Sequence, residues 1–339
     1  MRYKLLGKSG LRVSELALGT MTFGEAWGWG APPDECRKMI ERFVEAGGNF
    51  IDTSVNYTDG EAETILGDLL QSSRDYFVIA TKYTLTKPTS TDPNSGGNSR
   101  KNMMQSVERS LKRLRTDHID LYYLHVWDYM TPVEEVLRGL DDLVRMGKVN
   151  YVAISDSPAY IAAEANAIAE LRGWARFVGV QIPYSLADRG VEREILPMAR
   201  HWDMTVMPWG LIEGGLLSGK YKAKGSTPTR YSDVTISLRM QTIIDEVDRI
   251  AQETGRSMPQ VAINWVRQQQ HKARMIPILG ARTDAQLQDN LAVLDWELSA
   301  EQLERLEKVS QIELGFPHDW HGNPYVFGAT FDKIDNHRV

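Results

Sequence analysis

The chain has 339 residues, 42% of them hydrophobic and 25% charged, which is typical of folded globular proteins and excludes disordered, collagen-like and coiled-coil chains. A formal net charge of −6 without a basic tract argues against nucleic-acid and anionic-membrane partners. A single cysteine, Cys36, excludes an intrachain disulfide and a CxxC metal site, so we predict no bound metal. One cysteine also fits a reducing compartment, and no apolar run is long enough to span a membrane, so we predict a cytoplasmic protein.

The predicted elements begin with a small β-hairpin, because short apolar runs flank Gly7-Lys8-Ser9-Gly10. A unit of apolar strand, polar loop and amphipathic helix then recurs along the chain. The eight predicted strands span residues 15–18, 49–52, 77–82, 119–125, 151–155, 177–181, 205–208 and 275–279. Helix patterns between them cover residues 34–46, 61–70, 102–114, 132–146, 191–201 and 258–270.

Alternating strands and helices require a parallel sheet with right-handed crossovers, and eight such units are the number that closes a barrel. No linker rich in Pro, Gly or Ser divides the chain, and no GxGxxG follows an early strand, which disfavours a two-domain Rossmann enzyme. We therefore predict one α/β domain, a (β/α)8 TIM barrel with an N-terminal β-hairpin (1–16), a barrel (17–295) and an extended C-terminal helix and tail (296–339).

Four groups capable of proton chemistry fall at the carboxyl ends of consecutive predicted strands, where barrel enzymes build their active sites. Asp52, Lys82 and His125 end the second, third and fourth strands, and Tyr57 follows the second. Taken one at a time, they are more readily explained as a helix cap, a solvated strand end, a core histidine and a surface tyrosine. Their convergence on one rim favours a site, because buried charges need partners.

These residues stand in motifs that resemble the aldo-keto reductase superfamily, most of all its bacterial aryl-alcohol dehydrogenase-like and potassium-channel-β-like branch. The resemblance runs from the hairpin to about residue 310 and implies a nicotinamide cofactor and reversible reduction of a carbonyl to an alcohol. The matching segments are Gly19-Thr20-Met21-Thr22-Phe23-Gly24, Asn49-Phe50-Ile51-Asp52-Thr53-Ser54 with Tyr57, Ala80-Thr81-Lys82, Asp120-Leu121-Tyr122-Tyr123-Leu124-His125 and residues 276–290.

The residue types fit this chemistry, since hydride transfer to a carbonyl leaves a negative charge on oxygen that must be protonated. Tyr57 is the predicted acid. We expect the Lys82 ammonium to lower the phenol pKa from its usual value of about 10. Asp52 would pair with Lys82 and keep it charged, and a neutral His125 would orient the carbonyl oxygen.

The resemblance assigns cofactor contacts to the other strand ends. It places the carboxamide at Ser155, Asp156 and Gln181, although Asp156 stands where the family usually has asparagine. Trp209 falls where an aromatic ring stacks on the nicotinamide. Further implied contacts are Gly19, Thr20, Met21, Asp52, Gly210, Leu211, Glu213, Gly214, Leu217, Lys220, Gly280, Arg282, Gln286 and Asn290.

The loop at residues 211–221 contains GxxxxGK, but Tyr221 replaces the Ser or Thr of a P-loop, so we expect it to fold over the pyrophosphate of a dinucleotide instead. The planar guanidinium group of Arg282 can bind a 2′-phosphate through paired hydrogen bonds, which predicts NADPH/NADP+ as the cofactor. NADH remains open, because the Lys-Ser pair of many relatives is Gly280-Ala281 here.

An aromatic wall predicts a hydrophobic substrate, such as an aryl aldehyde, a quinone or a ring ketone of terpenoid or mycotoxin type. The predicted substrate-binding residues are Trp27, Trp29, Tyr57, Tyr83, His125 and Trp127. Two other functions stay open: an NADP(H)-binding regulatory subunit and an NAD-dependent sugar or alcohol dehydrogenase. Schiff-base chemistry at Lys82 is disfavoured by its neighbours, and the chain is compatible with a monomer or a homo-oligomer.

Overall fold

A computed structural model describes residues 1–220, 236–320 and 323–335. Tyr221, which ends the predicted dinucleotide loop, lies outside the described residues, as do residues 321–322 and 336–339 of the predicted tail. No helix within the described ranges is both long and apolar enough to cross a membrane.

Ten strands are present in the described residues, and eight of them form one parallel sheet. β1 (Tyr3–Leu5) and β2 (Arg12–Ser14) make the predicted antiparallel hairpin. The parallel strands are β3 (Ala17–Gly19), β4 (Phe50–Asp52), β5 (Val78–Tyr83), β6 (Ile119–Leu124), β7 (Val149–Ser155), β8 (Phe177–Pro183), β9 (Thr205–Trp209) and β10 (Ile278–Gly280). Their order, β10-β3-β4-β5-β6-β7-β8-β9, confirms the predicted (β/α)8 barrel.

The barrel closes through a broken last strand. The Val206 N–H donates to the Arg274 carbonyl at 2.8 Å, and the Ile276 N–H donates to the Val206 carbonyl at 2.9 Å. The next donor of this ladder would be residue 208, but Pro208 of β9 has no N–H to give to the Ile276 carbonyl, and β10 begins only after Pro277, paired with β3. The predicted strand at residues 275–279 is therefore split into a bridge to β9 and a short strand.

Eleven α-helices lie in the described residues: α1 (Pro33–Glu45), α2 (Glu61–Leu70), α3 (Arg100–Leu114), α4 (Val133–Arg145), α5 (Ala159–Arg172), α6 (Ile195–His201), α7 (Leu238–Thr254), α8 (Met258–Arg267), α9 (Asp284–Leu291), α10 (Ala300–Ser310) and α11 (Pro324–Phe327). Side chains of Ser99, Ser257, Thr283 and Ser299 cap the starts of α3, α8, α9 and α10. The helix predicted at residues 191–201 begins only at Ile195, because residues 190–192 form a separate 3-10 turn.

Side-chain alternation along the strands separates two cores. One fills the barrel and includes Ala80, Leu121 and Tyr123, and the other lies between the barrel and the helices. The hairpin contributes Leu6 and Val13 to the inner core, so it closes the amino-terminal end of the barrel. The opposite end, where the strands finish, is left for the site.

Candidate functional site

The ends of β4, β5 and β6 bring the four predicted groups together. Asp52 is the last residue of β4, Lys82 lies in β5, His125 follows β6, and Tyr57 opens a 3-10 turn after β4. Lys82 Nζ donates to Asp52 Oδ2 at 2.7 Å, to the Thr53 carbonyl at 2.8 Å and to Tyr57 Oη at 3.2 Å. The three N–H bonds of the ammonium thus have three acceptors.

Lys82 is completely buried, yet its surroundings favour the charged form. Burial acts to lower the pKa of Lys82, but the Asp52 carboxylate 2.7 Å away and the Tyr57 hydroxyl outweigh it and raise that pKa. The ammonium also lies 4.8 Å from the ring centre of Tyr57 and 5.7 Å from that of Tyr123, within cation–π range. The site therefore holds a stable cation beside the Tyr57 hydroxyl.

The pKa of Tyr57 differs from the sequence-based expectation. Burial raises the pKa of the phenol, and the Lys82 ammonium opposes this shift without reversing it. The expectation of a lowered pKa was wrong because it counted the cation and not the loss of solvation. Tyr57 is accordingly protonated at neutral pH and can act as a proton donor.

His125 is held as a neutral ring. Burial lowers its pKa well below the ordinary value, and the Lys82 charge acts in the same direction. Its Nδ1 lies 3.2 Å from Ser54 Oγ, and its backbone N–H donates to Thr84 Oγ1 at 3.3 Å. Ser54 was not singled out from the sequence, although it lies in the loop that carries Tyr57. Its hydroxyl can set which ring nitrogen carries the proton.

Gln181 makes a contact that the sequence did not predict. Its Nε2 donates to Asp52 Oδ1 at 2.7 Å, so the carboxylate lies between Lys82 and Gln181. Asp52 is only 3% exposed, and each of its two carboxylate oxygens thereby accepts a hydrogen bond. In this structure Gln181 supports the ion pair across the barrel, whereas the sequence suggested only a carboxamide contact.

Three neighbouring groups form the wall beside this cluster. Ser155 Oγ at the end of β7 is buried and has no hydrogen-bond partner within the described part of the chain. Trp209 is 40% exposed and so is not a core side chain, and its Nε1 donates to Asp156 Oδ1 at 3.2 Å. Burial raises the pKa of Asp156 to about 6. The Ser155 hydroxyl could hydrogen-bond to an amide group, and the exposed face of Trp209 could stack on the ring that carries that amide.

The residues that follow β9 fold into a tight turn. Gly210 has a φ of 73°, and Glu213, Gly214 and Gly215 also have positive φ values of 49°, 59° and 101°. The Leu211 and Leu217 side chains are buried, so only their backbones can face a ligand, while Lys220 is exposed. Such a turn presents backbone N–H groups at close range.

The segment after β10 is held by its own side chains. The Arg282 N–H donates to Gln286 Oε1 at 2.9 Å, and Asn290 Nδ2 donates to the Gly280 carbonyl at 3.1 Å. These two amides shape the turn before α9. The Arg282 guanidinium makes no ion pair with any residue that the structure describes.

The end of β3 is tied to β4. Gly19 pairs with Asp52 and with Gly280, and Met21, two residues on, is partly exposed. Both the Thr20 N–H and its hydroxyl donate to the Asp52 carbonyl at 2.9 Å. Thr20 is fully buried, so its hydroxyl positions Asp52.

The predicted aromatic wall is only partly present. Trp27 and Trp29 have ring centres 5.8 Å apart, and Trp29 is 38% exposed. Tyr83 was wrongly predicted to bind substrate: it is fully buried between barrel and helices, stacked on Tyr122. Adjacent strand residues face opposite sides, so Tyr83 points outward where Lys82 points inward. Trp127 also packs into this outer core, with 7% exposed.

Comparison with known proteins agrees with this geometry. The sequence model of the Aldo/keto reductase family matches residues 15–311. The chain is 35% identical over 332 residues to an aryl-alcohol dehydrogenase of Pestalotiopsis microspora, covering 95% of this chain and 85% of the relative. It is 35% identical to a norsolorinic acid reductase of Aspergillus flavus over 92% of this chain and 82% of that one. An aryl-alcohol dehydrogenase [NADP(+)] of Phanerodontia chrysosporium is 34% identical, with shares of 91% and 86%.

Proposed function

The chain belongs to the aldo-keto reductase family and is an oxidoreductase, and we propose that it reduces a hydrophobic aldehyde or ketone with NADPH, reversibly, through Tyr57 as the acid. The observation that carries this proposal is the Tyr57–Lys82–Asp52 chain, with contacts of 3.2 and 2.7 Å, in which Lys82 and Asp52 are buried and Tyr57 is partly buried. It places a protonated phenol next to a permanent cation at the mouth of the barrel.

The chemistry divides among these side chains. A bound nicotinamide cofactor supplies the hydride, and negative charge then develops on the substrate oxygen. Tyr57 donates its proton to that oxygen. Lys82 stabilises the phenolate that remains, and Asp52 holds Lys82 in place. Neutral His125 would lie beside the same oxygen and orient it.

The wall beside the cluster fits the cofactor ring. Ser155 Oγ is a buried hydroxyl that lacks a partner among the described residues, and it would bind the carboxamide. The exposed face of Trp209 would stack on the ring, and the turn at Gly210, Gly214 and Gly215 would approach the pyrophosphate through its N–H groups. Arg282, without an ion-pair partner in the described ranges, would receive a 2′-phosphate.

The substrate class follows from the aromatic surface and from the relatives. Trp27 and Trp29 offer flat apolar rings, and the matched relatives are named for aryl alcohols and norsolorinic acid. We therefore propose aryl or polycyclic carbonyl compounds, of the mycotoxin type among others, and disfavour charged sugar phosphates.

Replacing the acid tests the assignment. Tyr57→Phe should lower kcat for NADPH-dependent carbonyl reduction by about two to four orders of magnitude, because a general acid contributes that much. The Kd for NADPH, measured by fluorescence quenching, should be unchanged. Tyr160→Phe, at an exposed position of α5, is the matched control. Near wild-type turnover in Tyr57→Phe contradicts the proposal, and a single burst of NADPH oxidation in the wild type would favour a regulatory subunit instead.

The cofactor preference has a separate test. Arg282→Ala should weaken NADPH binding and leave NADH binding unchanged, because only NADPH carries the 2′-phosphate. Arg172→Ala, at the exposed end of α5, serves as the control. Equal wild-type affinities for NADPH and NADH would defeat this part of the proposal.

A further inference from the structure

The turn that carries Tyr57 has an unusual backbone. Three consecutive residues, Thr58, Asp59 and Gly60, have φ values of 44°, 59° and 99°. L-residues avoid this left-handed region, and such strain persists only where the surroundings fix the chain. The question is therefore what holds this turn in place.

One side chain from the neighbouring helix α3 contacts both ends of the turn. Arg113 of α3 donates from Nη1 to the Val55 carbonyl at 2.7 Å, two residues before Tyr57. At the other end its guanidinium packs against Gly60, where an added Cβ would overlap it. Only glycine can follow Asp59 while Arg113 stays in this position.

The same guanidinium joins the turn to the strand of Lys82. Arg113 Nη1 lies 3.2 Å from Glu63 Oε2, and Glu63 Oε1 accepts from Thr81 Oγ1 at 2.7 Å. Glu63 is completely buried, so its charge depends on these partners. Because neighbours on a strand face opposite ways, Thr81 reaches the helices while Lys82 points into the barrel.

We propose that the Glu63–Arg113 pair is a positioning unit that holds the Tyr57 hydroxyl against Lys82 from outside the barrel. It touches neither substrate nor cofactor and acts through the Val55 carbonyl and through Thr81. The proposal rests on the proposed function, since it takes Tyr57 as the acid. An alternative is that the pair only neutralises buried charge and stabilises the fold.

A matched ion pair at the other end of the same strands separates these explanations. Arg74 donates to Asp120 Oδ2 at 2.7 Å and to the Phe77 carbonyl at 3.0 Å, which also joins a guanidinium to a carboxylate and a backbone carbonyl. It lies where β5 and β6 begin, far along the strands from the Tyr57 turn. Arg74→Ala should lower the melting temperature and leave kcat per folded molecule unchanged.

Arg113→Ala is expected to lower kcat about ten- to hundredfold, because small misplacements of a catalytic group have effects of this size. The Kd for NADPH should not change. The pH at which alcohol oxidation is half-maximal should rise, since a phenol farther from Lys82 ionises less readily. Arg113→Lys keeps the charge but lacks the guanidinium that packs against Gly60, and its kcat should lie between those of Arg113→Ala and the wild type.

A spectroscopic measurement makes the outcome independent of turnover. In isotope-labelled tyrosine NMR, the resonance missing from Tyr57→Phe identifies Tyr57. Arg113→Ala should move that resonance toward its position in Lys82→Met, and Arg74→Ala should leave it in place. If Arg113→Ala does not fold, Arg113→Lys and Thr81→Val are measured in the same way.

Two results would overturn the positioning role. One is an unchanged Tyr57 resonance in the Arg113 variants, and the other is a kcat and pH profile that follow melting temperature alone, as in Arg74→Ala. Failure of the proposed function looks different: the wild type shows no carbonyl reduction, or Tyr57→Phe retains it, while the Tyr57 resonance still responds to Arg113.

Discussion

Removing Lys82 should cost stability as well as activity, and the structure sets the size of the loss. Lys82→Met keeps the length of the side chain and removes its charge. Asp52, only 3% exposed, then retains Gln181 Nε2 at 2.7 Å as a donor but loses its cation. A buried carboxylate without a counter-charge is strongly destabilising.

The magnitude follows from the distance and the burial. Two unit charges 2.7 Å apart attract each other by about 6 kcal/mol at an effective dielectric constant of about 20. Desolvation of both groups offsets much of this energy in the intact pair, and the desolvation cost of Asp52 remains when Lys82 alone is removed. We expect Lys82→Met to lower the free energy of unfolding by about 3–5 kcal/mol.

The double variant Lys82→Met/Asp52→Asn isolates the uncompensated charge. Asparagine keeps an oxygen for Gln181 and carries no charge, so the double variant should regain about 2 kcal/mol or more over Lys82→Met, a coupling typical of contacting residues. The assay is urea unfolding followed by tryptophan fluorescence, with kcat measured in parallel. Both variants should be inactive, so stability and activity separate.

Two results would refute this reasoning. A loss below about 1 kcal/mol in Lys82→Met would mean that Asp52 is solvated or that its charge is spread over other partners. A double variant whose loss equals the sum of the single losses would mean that the two groups do not interact.

Three further predictions concern single contacts. Burial raises the pKa of Asp156 to about 6, so the ionised side chain opposes folding above that pH. The melting temperature of Asp156→Asn should therefore exceed that of the wild type at about pH 8, and the difference should disappear toward about pH 4. A difference that does not depend on pH would contradict this prediction. Gly67→Ala should lower the free energy of unfolding in urea by about 1–3 kcal/mol, because the added Cβ would overlap the Arg113 carbonyl. Gly10 has open space around it, so Gly10→Ala should leave the free energy of unfolding unchanged. Equal effects of the two substitutions would refute the close approach of the helices. Trp209→Leu removes both the aromatic face and the donor to Asp156 and should weaken NADPH binding several-fold, and an unaltered Kd would argue against stacking.

Much of the site could be predicted because a parallel barrel places every strand end on one rim. Asp52, Lys82 and His125 were placed by that rule alone, and the structure brings them together with Tyr57. The rule fails where it ignores that successive side chains of a strand face opposite sides of the sheet. Tyr83 directly follows Lys82, which points into the barrel, and therefore points outward toward the helices. The rule also does not foresee the split of the last strand, where Pro208 of β9 has no N–H to give to the Ile276 carbonyl.

The sequence by itself determined the repeating units, and therefore the barrel, the strand ends and the cluster of proton-carrying groups. Tertiary structure alone decided which side chains satisfy one another. Gln181 reaches Asp52 across 129 residues, and Arg113 reaches Glu63 across 50. It also decided the direction of the Tyr57 pKa, because desolvation depends on how deeply the ring is buried. Periodicity is a local property of the chain, whereas burial and hydrogen-bond pairing arise only when distant elements pack together.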